Sequence, residues 1–143
     1  MCNPDDPLLP PVPENCVASL NTHDVTPFRG FLDGTDIDDR LDLGFVDEEA
    51  ARKELEQRAR MKGKLESFRA ALRFLAESKA NIVLVNVEDL WEEVLPQNVP
   101  STNTERPNWR RRVRPSIGQI RKMAGAVEVL SHVFADRSRP LPA

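Results

Sequence analysis

Two short apolar runs set the first constraint on this chain. Residues 16–20 (CVASL) and 82–85 (IVLV) each have the length of a strand, and the second is rich in β-branched residues. Residues 21–81 lie between them, which is ample for the helical crossover that parallel pairing requires. Both runs are therefore expected as α/β-type strands, parallel and buried on both faces. Two parallel strands cannot cover themselves. They leave two open edges beside apolar helix faces, so the chain reads as consecutive βα units of a larger sheet. In such sheets the chemistry collects after the strand C-termini.

Residues 3–13 carry five prolines and residues 1–14 read as an extended lead-in segment; 15–136 form the folded part and 137–143 a frayed tail. Between the strands three helices are expected. Asp36 is placed to cap a short one over 37–43 that stops at Gly44. Asp47 opens the next, with Glu48 and Glu49 in the first turn and four i,i+4 pairs (Glu48/Arg52, Glu49/Lys53, Glu54/Arg58, Glu56/Arg60) that mark an outer-surface helix. After Gly63, Leu65, Phe68, Leu72 and Leu75 give the third a single apolar stripe. A helical turn over 89–94 carries Trp91. Ser116 and Gln119 form a capping box for a final helix lined by Ile117, Ile120, Met123, Val127, Leu130 and Phe134.

Residues 96–114 (PQNVPSTNTERPNWRRRVR) admit no regular element. Three prolines, three asparagines, one tryptophan and five arginines fall within nineteen residues, and each proline also biases its predecessor toward extended backbone. A long ordered loop is expected, and loops of this length are commonly functional.

The net charge of −3 conceals an asymmetry: residues 1–50 hold twelve acids against Arg29 and Arg40, while residues 105–122 hold one acid and seven bases. Cys2 and Cys16 are too few for a disulfide framework or a thiolate zinc site, no apolar run approaches the ~20 residues of a membrane span, and the N-terminus has no signal-peptide pattern. A cytoplasmic protein without metal or cofactor is the expectation. The acids near Asp36 do not make a calcium loop, because Leu41 occupies the position that needs glycine.

His23 and Asp24, after the first strand, are the best-placed titratable pair. They read either as a hydrogen-bonded loop pair or as pocket residues, the carboxylate facing developing positive charge and the imidazole a hydroxyl. Arg110, Arg111, Arg112 and Arg114 beside Trp109 suit phosphate contact and base stacking, but no nucleic-acid module surrounds them; pairing with neighbouring acids is the stronger reading. Glu88, Asp89, Glu92 and Glu93 read as a solvated face.

The segments PENCVASLNTHD, LVNVEDLW and PQNVPSTNTERPNWRRR strongly resemble, in order and spacing, the C-terminal part of bacterial 4-alpha-glucanotransferases, the amylomaltase or disproportionating-enzyme family. The resemblance spans nearly all of this chain but only the last portion of a longer enzyme. It implies a (β/α)8 TIM barrel of which this chain supplies the seventh and eighth strands and their helices, and a retaining glycosyltransferase that moves alpha-1,4-glucan segments between maltooligosaccharides. On this sequence it makes Asp24 the transition-state stabiliser and His23 and Asn98 sugar-binding residues, with Trp109, Arg110 and Arg111 as structural loop residues. It places the nucleophile and the acid/base in a missing N-terminal barrel half, so the isolated chain is expected to be inactive. Two positions depart from the pattern: Ser101 stands where the family loop usually has glycine, and Val25 where many members have asparagine. The alternatives are a non-catalytic glucan- or protein-binding fragment and, below that, nucleic-acid binding through the arginine loop.

Overall fold

The computed structural model describes residues 11–62 and 67–137. Residues 1–10 of the proline-rich segment, with Cys2, as well as Gly63, Leu65 and the tail from Ser138, lie outside them.

Strands β1 (Val17–Ser19) and β2 (Ile82–Leu84) pair in parallel, with Val17 opposite Ile82, Ala18 opposite Val83 and Ser19 opposite Leu84. Ala18 and Val83 pack with Leu75, Phe74 and Ala80, on and just beyond helix α4 (Phe68–Ala76). Val17, Ile82 and Leu84 remain 52–57% exposed. The expected burial on both faces is thus realised on one. A parallel sheet needs a layer on each side, and among the described residues only one layer is present.

Among the described residues, four helices rather than three lie in the crossover. Helix α1 (Phe28–Asp33) follows Pro27, has six residues and no side-chain cap of its own. Its first amide is satisfied instead by Asp89, distant in sequence. Gly34, at φ 80°, closes α1 and opens α2 (Thr35–Asp42), so Asp36 lies inside the helix rather than capping it. A left-handed residue at this junction is what glycine supplies without steric cost. Gly44, at φ 70°, follows the end of α2.

Asp47 does open α3 (Glu48–Lys62): its Oδ1 accepts from the Ala50 amide at 2.7 Å. Of the expected pairs, Glu49–Lys53 and Glu54–Arg58 form, both at 2.6 Å. Arg58 is not an outer-surface residue, however. It is buried, lies 4.1 Å from the centre of the Phe31 ring, and donates to both carboxylate oxygens of Asp36. This pairing and cation–π contact compensate a charge that burial alone would not tolerate.

In α4, Ser67 caps the first turn by accepting from the Ala70 amide at 3.2 Å, and Ala71, Leu72 and Leu75 are buried. Phe68 meets Phe28 at 5.9 Å between ring centres, joining α4 to α1. Beyond the second strand a 3-10 turn over Val87–Trp91 ends at Glu92, whose φ is 55°. No helix or strand interrupts residues 96–114.

The final helix is broken. The Ser116–Gln119 capping box forms in both directions, but α5 stops after Ile117–Ile120, and α6 runs over Ala124–Arg137. The turn at Arg121 and Lys122 breaks the phase of the expected stripe, leaving Ile117 and Phe134 mostly exposed and burying Ala126 and Val129. An Arg69–Glu128 ion pair at 2.7 Å ties α6 to α4. Among the described residues no helix is long and apolar enough to cross a membrane.

Candidate functional site

Parallel pairing sends both strands toward the same end, and the polar residues that follow them meet there. Asn21 and Asn86, just after β1 and β2, are bonded to each other, the Asn86 Nδ2 donating to Asn21 Oδ1. Asn21 Nδ2 in turn donates to Asp89 Oδ2 at 2.9 Å, and the Phe28 amide donates to Asp89 Oδ1 at 2.7 Å. Asp89 is only 3% exposed. Burial raises its carboxyl above the ordinary value, although the two donors act the other way. This chain of donors fixes the floor of the site.

Above that floor, Thr22 shapes the turn, its Oγ1 accepting from the Asp24 amide and its carbonyl from the Val25 amide, both at 3.3 Å. Asp24 is held from two sides. Its Oδ1 accepts from Asn98 Nδ2 at 2.8 Å, and its Oδ2 lies 3.3 Å from His23 Nε2. The His23 and Trp109 rings stand 5.4 Å apart, tilted by 47°. Asp24, His23, Asn98 and Trp109 are thereby brought together from two regions of the chain.

Asn108 pins the loop. Its Oδ1 accepts from the Val99 amide at 2.9 Å, and its Nδ2 donates to Thr102 Oγ1 at 2.8 Å and to the Thr102 carbonyl at 3.1 Å. One asparagine side chain thus does the work of a missing strand partner, satisfying backbone groups that a loop otherwise leaves to water. Two residues of the loop adopt left-handed backbone: Ser101 at φ 67° and Trp109 at φ 59°.

The arginines divide. Arg106 clamps α2, with Nε 2.5 Å from Asp39 and Nη2 2.7 Å from Asp42. Arg111 and Arg114 converge on Glu93 at 3.0 and 3.2 Å. Glu93 is buried; that burial pushes its carboxyl up, but the Leu95 and Val94 amides and the two arginines outweigh it and leave it below the usual range. Arg110 and Arg112 are exposed and, among the described residues, carry no ion pair. Asp89 and Glu93 therefore do not belong to the solvated face expected for the acids after β2. One terminates the buried donor chain and the other anchors the loop.

A cavity of about 830 Å³ opens beside the site, with Asp24, Asn98 and Arg106 on its polar rim and Phe31, Met61 and Phe74 along its apolar wall. Asp36 and Glu54 in that wall are bound to Arg58, and Asp39 to Arg106. Among the described residues lining it, Asp24 is the carboxylate not committed to an arginine.

A sequence profile described as 4-alpha-glucanotransferase matches residues 3–118. The chain belongs to this family. Its similarity to the 4-alpha-glucanotransferase of Haemophilus influenzae is 25% identity over an alignment covering 82% of this chain and 20% of that protein. The chain thus spans about a fifth of the length of the curated glucanotransferase it matches.

Neither Asn108 nor the Asn21–Asp89 chain stood out in the sequence. Asn21 directly precedes the Thr22–Asp24 turn, but nothing local signals that its amide donates to Asp89, 68 residues away.

Proposed function

We propose that this chain forms one wall of the donor-sugar site of a 4-alpha-glucanotransferase, as the last two βα units of a (β/α)8 barrel. The observation that carries this is the Asn98–Asp24 bond at 2.8 Å, with His23 at the other carboxylate oxygen. It sets one carboxylate and two hydroxyl-binding groups at the C-terminal end of β1, where barrel enzymes keep their chemistry. In the half-covered sheet, the apolar face of Val17, Ile82 and Leu84 is available to further barrel strands.

In a retaining transfer a nucleophilic carboxylate attacks the anomeric carbon while a carboxylic acid protonates the departing glycosidic oxygen. The acceptor hydroxyl then attacks that carbon, returns its proton to the acid/base and releases the nucleophile. Asp24 has neither role. It accepts from donor-sugar hydroxyls and opposes the positive charge that develops on the ring in the transition state of each displacement. The two reacting carboxylates in a retaining site stand about 5–5.5 Å apart, and the other acids of this cavity wall are held by arginines. The chain by itself therefore supplies stabilisation without a nucleophile, and it performs no transfer.

Titrating isotope-labelled chain with maltoheptaose is expected to move the amide signals of residues 22–25 and 98. Incubation with maltotriose is expected to yield neither glucose nor longer maltodextrins. Unmoved signals at those residues, or efficient disproportionation, would overturn the reading.

A further inference from the structure

We infer that Trp109 is a stacking platform for a pyranose ring of the glucan, sharing one subsite with His23 and Asp24. The inference rests on the reading of this cleft as a glucan site and adds to it the residue that takes the sugar's apolar face. Trp109 is 61% exposed, where so large an apolar side chain is usually well buried. Its backbone sits at φ 59°, a conformation that costs a bulky residue and persists only where the surroundings over-determine it. The surroundings do so: the Trp109 amide donates to the Gln97 carbonyl at 2.8 Å, and the preceding residue is Asn108, which pins the loop. The strained backbone therefore holds the ring out beside His23, at 5.4 Å between centres, rather than folding it into the cavity wall.

A glucopyranose ring has C–H groups on its flat faces and hydroxyls around its rim. Laid against an indole, it buries the C–H face on the π surface and leaves the rim free for the acceptors and donors of Asp24, His23 and Asn98. A nucleobase also stacks on indole, but its phosphate would meet the Asp24 carboxylate in the same wall, so the sugar is the better fit.

Trp91→Phe isolates the Trp109 fluorescence; the Trp91 Nε1 is buried without a partner among the described residues, so the exchange removes no hydrogen bond. In that background maltoheptaose is expected to change the Trp109 emission saturably, with the same midpoint as the amide shifts at residues 22–25. Trp109→Asn removes the ring yet suits positive φ, and is expected to weaken binding roughly three- to tenfold; Trp109→Phe is expected to weaken it less. The inference is overturned if maltoheptaose shifts residues 22–25 while the emission stays constant, or if Trp109→Asn binds as tightly as its parent. A change driven by single-stranded oligothymidine at low salt but not by maltoheptaose also overturns it. No binding by any readout overturns this inference and the glucan-site reading together.

Discussion

Replacing Asp89 by alanine should cost about 2–4 kcal/mol of folding stability at neutral pH. Asp89 accepts from the Phe28 amide at 2.7 Å and from Asn21 Nδ2 at 2.9 Å, and it is almost wholly buried. Bonds to a charged acceptor contribute about 1.5–3 kcal/mol each, so two contribute roughly 3–6 kcal/mol. The cost of burying the carboxylate disappears in the variant and offsets part of that sum. At about 3–4 °C per kcal/mol in a chain of this size, Tm should fall by roughly 6–15 °C.

The pH dependence has a defined sign. Burial raises the Asp89 carboxyl in the folded state against the lowering effect of its two donors. The folded chain consequently holds that proton more tightly than the unfolded chain. This contribution is fully present below the unfolded pKa and is lost as pH rises through the folded one. The Tm gap between parent and Asp89→Ala should thus be widest in acid and narrow as pH rises. Circular-dichroism melts across that range test it. A drop of under about 3 °C at neutral pH, or a gap that widens with pH, refutes the reasoning.

Three further perturbations follow from the same geometry. Gly30→Ala places a methyl group against the Val94 carbonyl and within 2.9 Å of the Thr35 and Thr26 hydroxyls, and urea titration should show a loss of about 1–3 kcal/mol. Ser101→Gly relieves a left-handed serine at φ 67° and should raise the urea midpoint by an amount equivalent to about 0.5–1 kcal/mol; a lowered midpoint would show that the Ser101 side chain is needed. Glu93 has a carboxyl held below its ordinary range, so its stability contribution is present above the unfolded pKa and lost as pH falls through the folded one. Glu93→Gln should accordingly flatten the acid limb of the stability profile, and an unchanged slope would count against the arginine anchor.

What could be read in advance was whatever is decided within a few residues. The β-branched run at 82–85 and the Ser116–Gln119 box carry their own instructions, and both formed. Asp47 did too, since a cap and its target lie three residues apart. By contrast, α1 was illegible because it is short and its first amide is satisfied by Asp89. Arg58 showed helical spacing to Glu54, which suggested a surface pair; only Asp36 and Phe31, from other elements, reveal why it is buried. Of the site, His23 and Asp24 announced themselves through their place after a strand, whereas Asn98 entered through resemblance. Asn108 looked like one more loop asparagine because its partners, Val99 and Thr102, are ordinary backbone positions.

The bonds that shape the cleft also have an unusual reach along the chain. Asp24 to Asn98 spans 74 residues, Asn21 to Asp89 spans 68 and Asp39 to Arg106 spans 67. Each closes a large loop, and that entropy must be spent before the contact returns anything. The locally capped helices α3 and α4 can form early, but the Asp24–Asn98 contact has no local precursor. During synthesis it cannot begin to assemble until the segment carrying Asn98 has left the ribosome. On the proposed function, glucan binding would report completion of the fold, with the Trp109 signal recovering late in refolding.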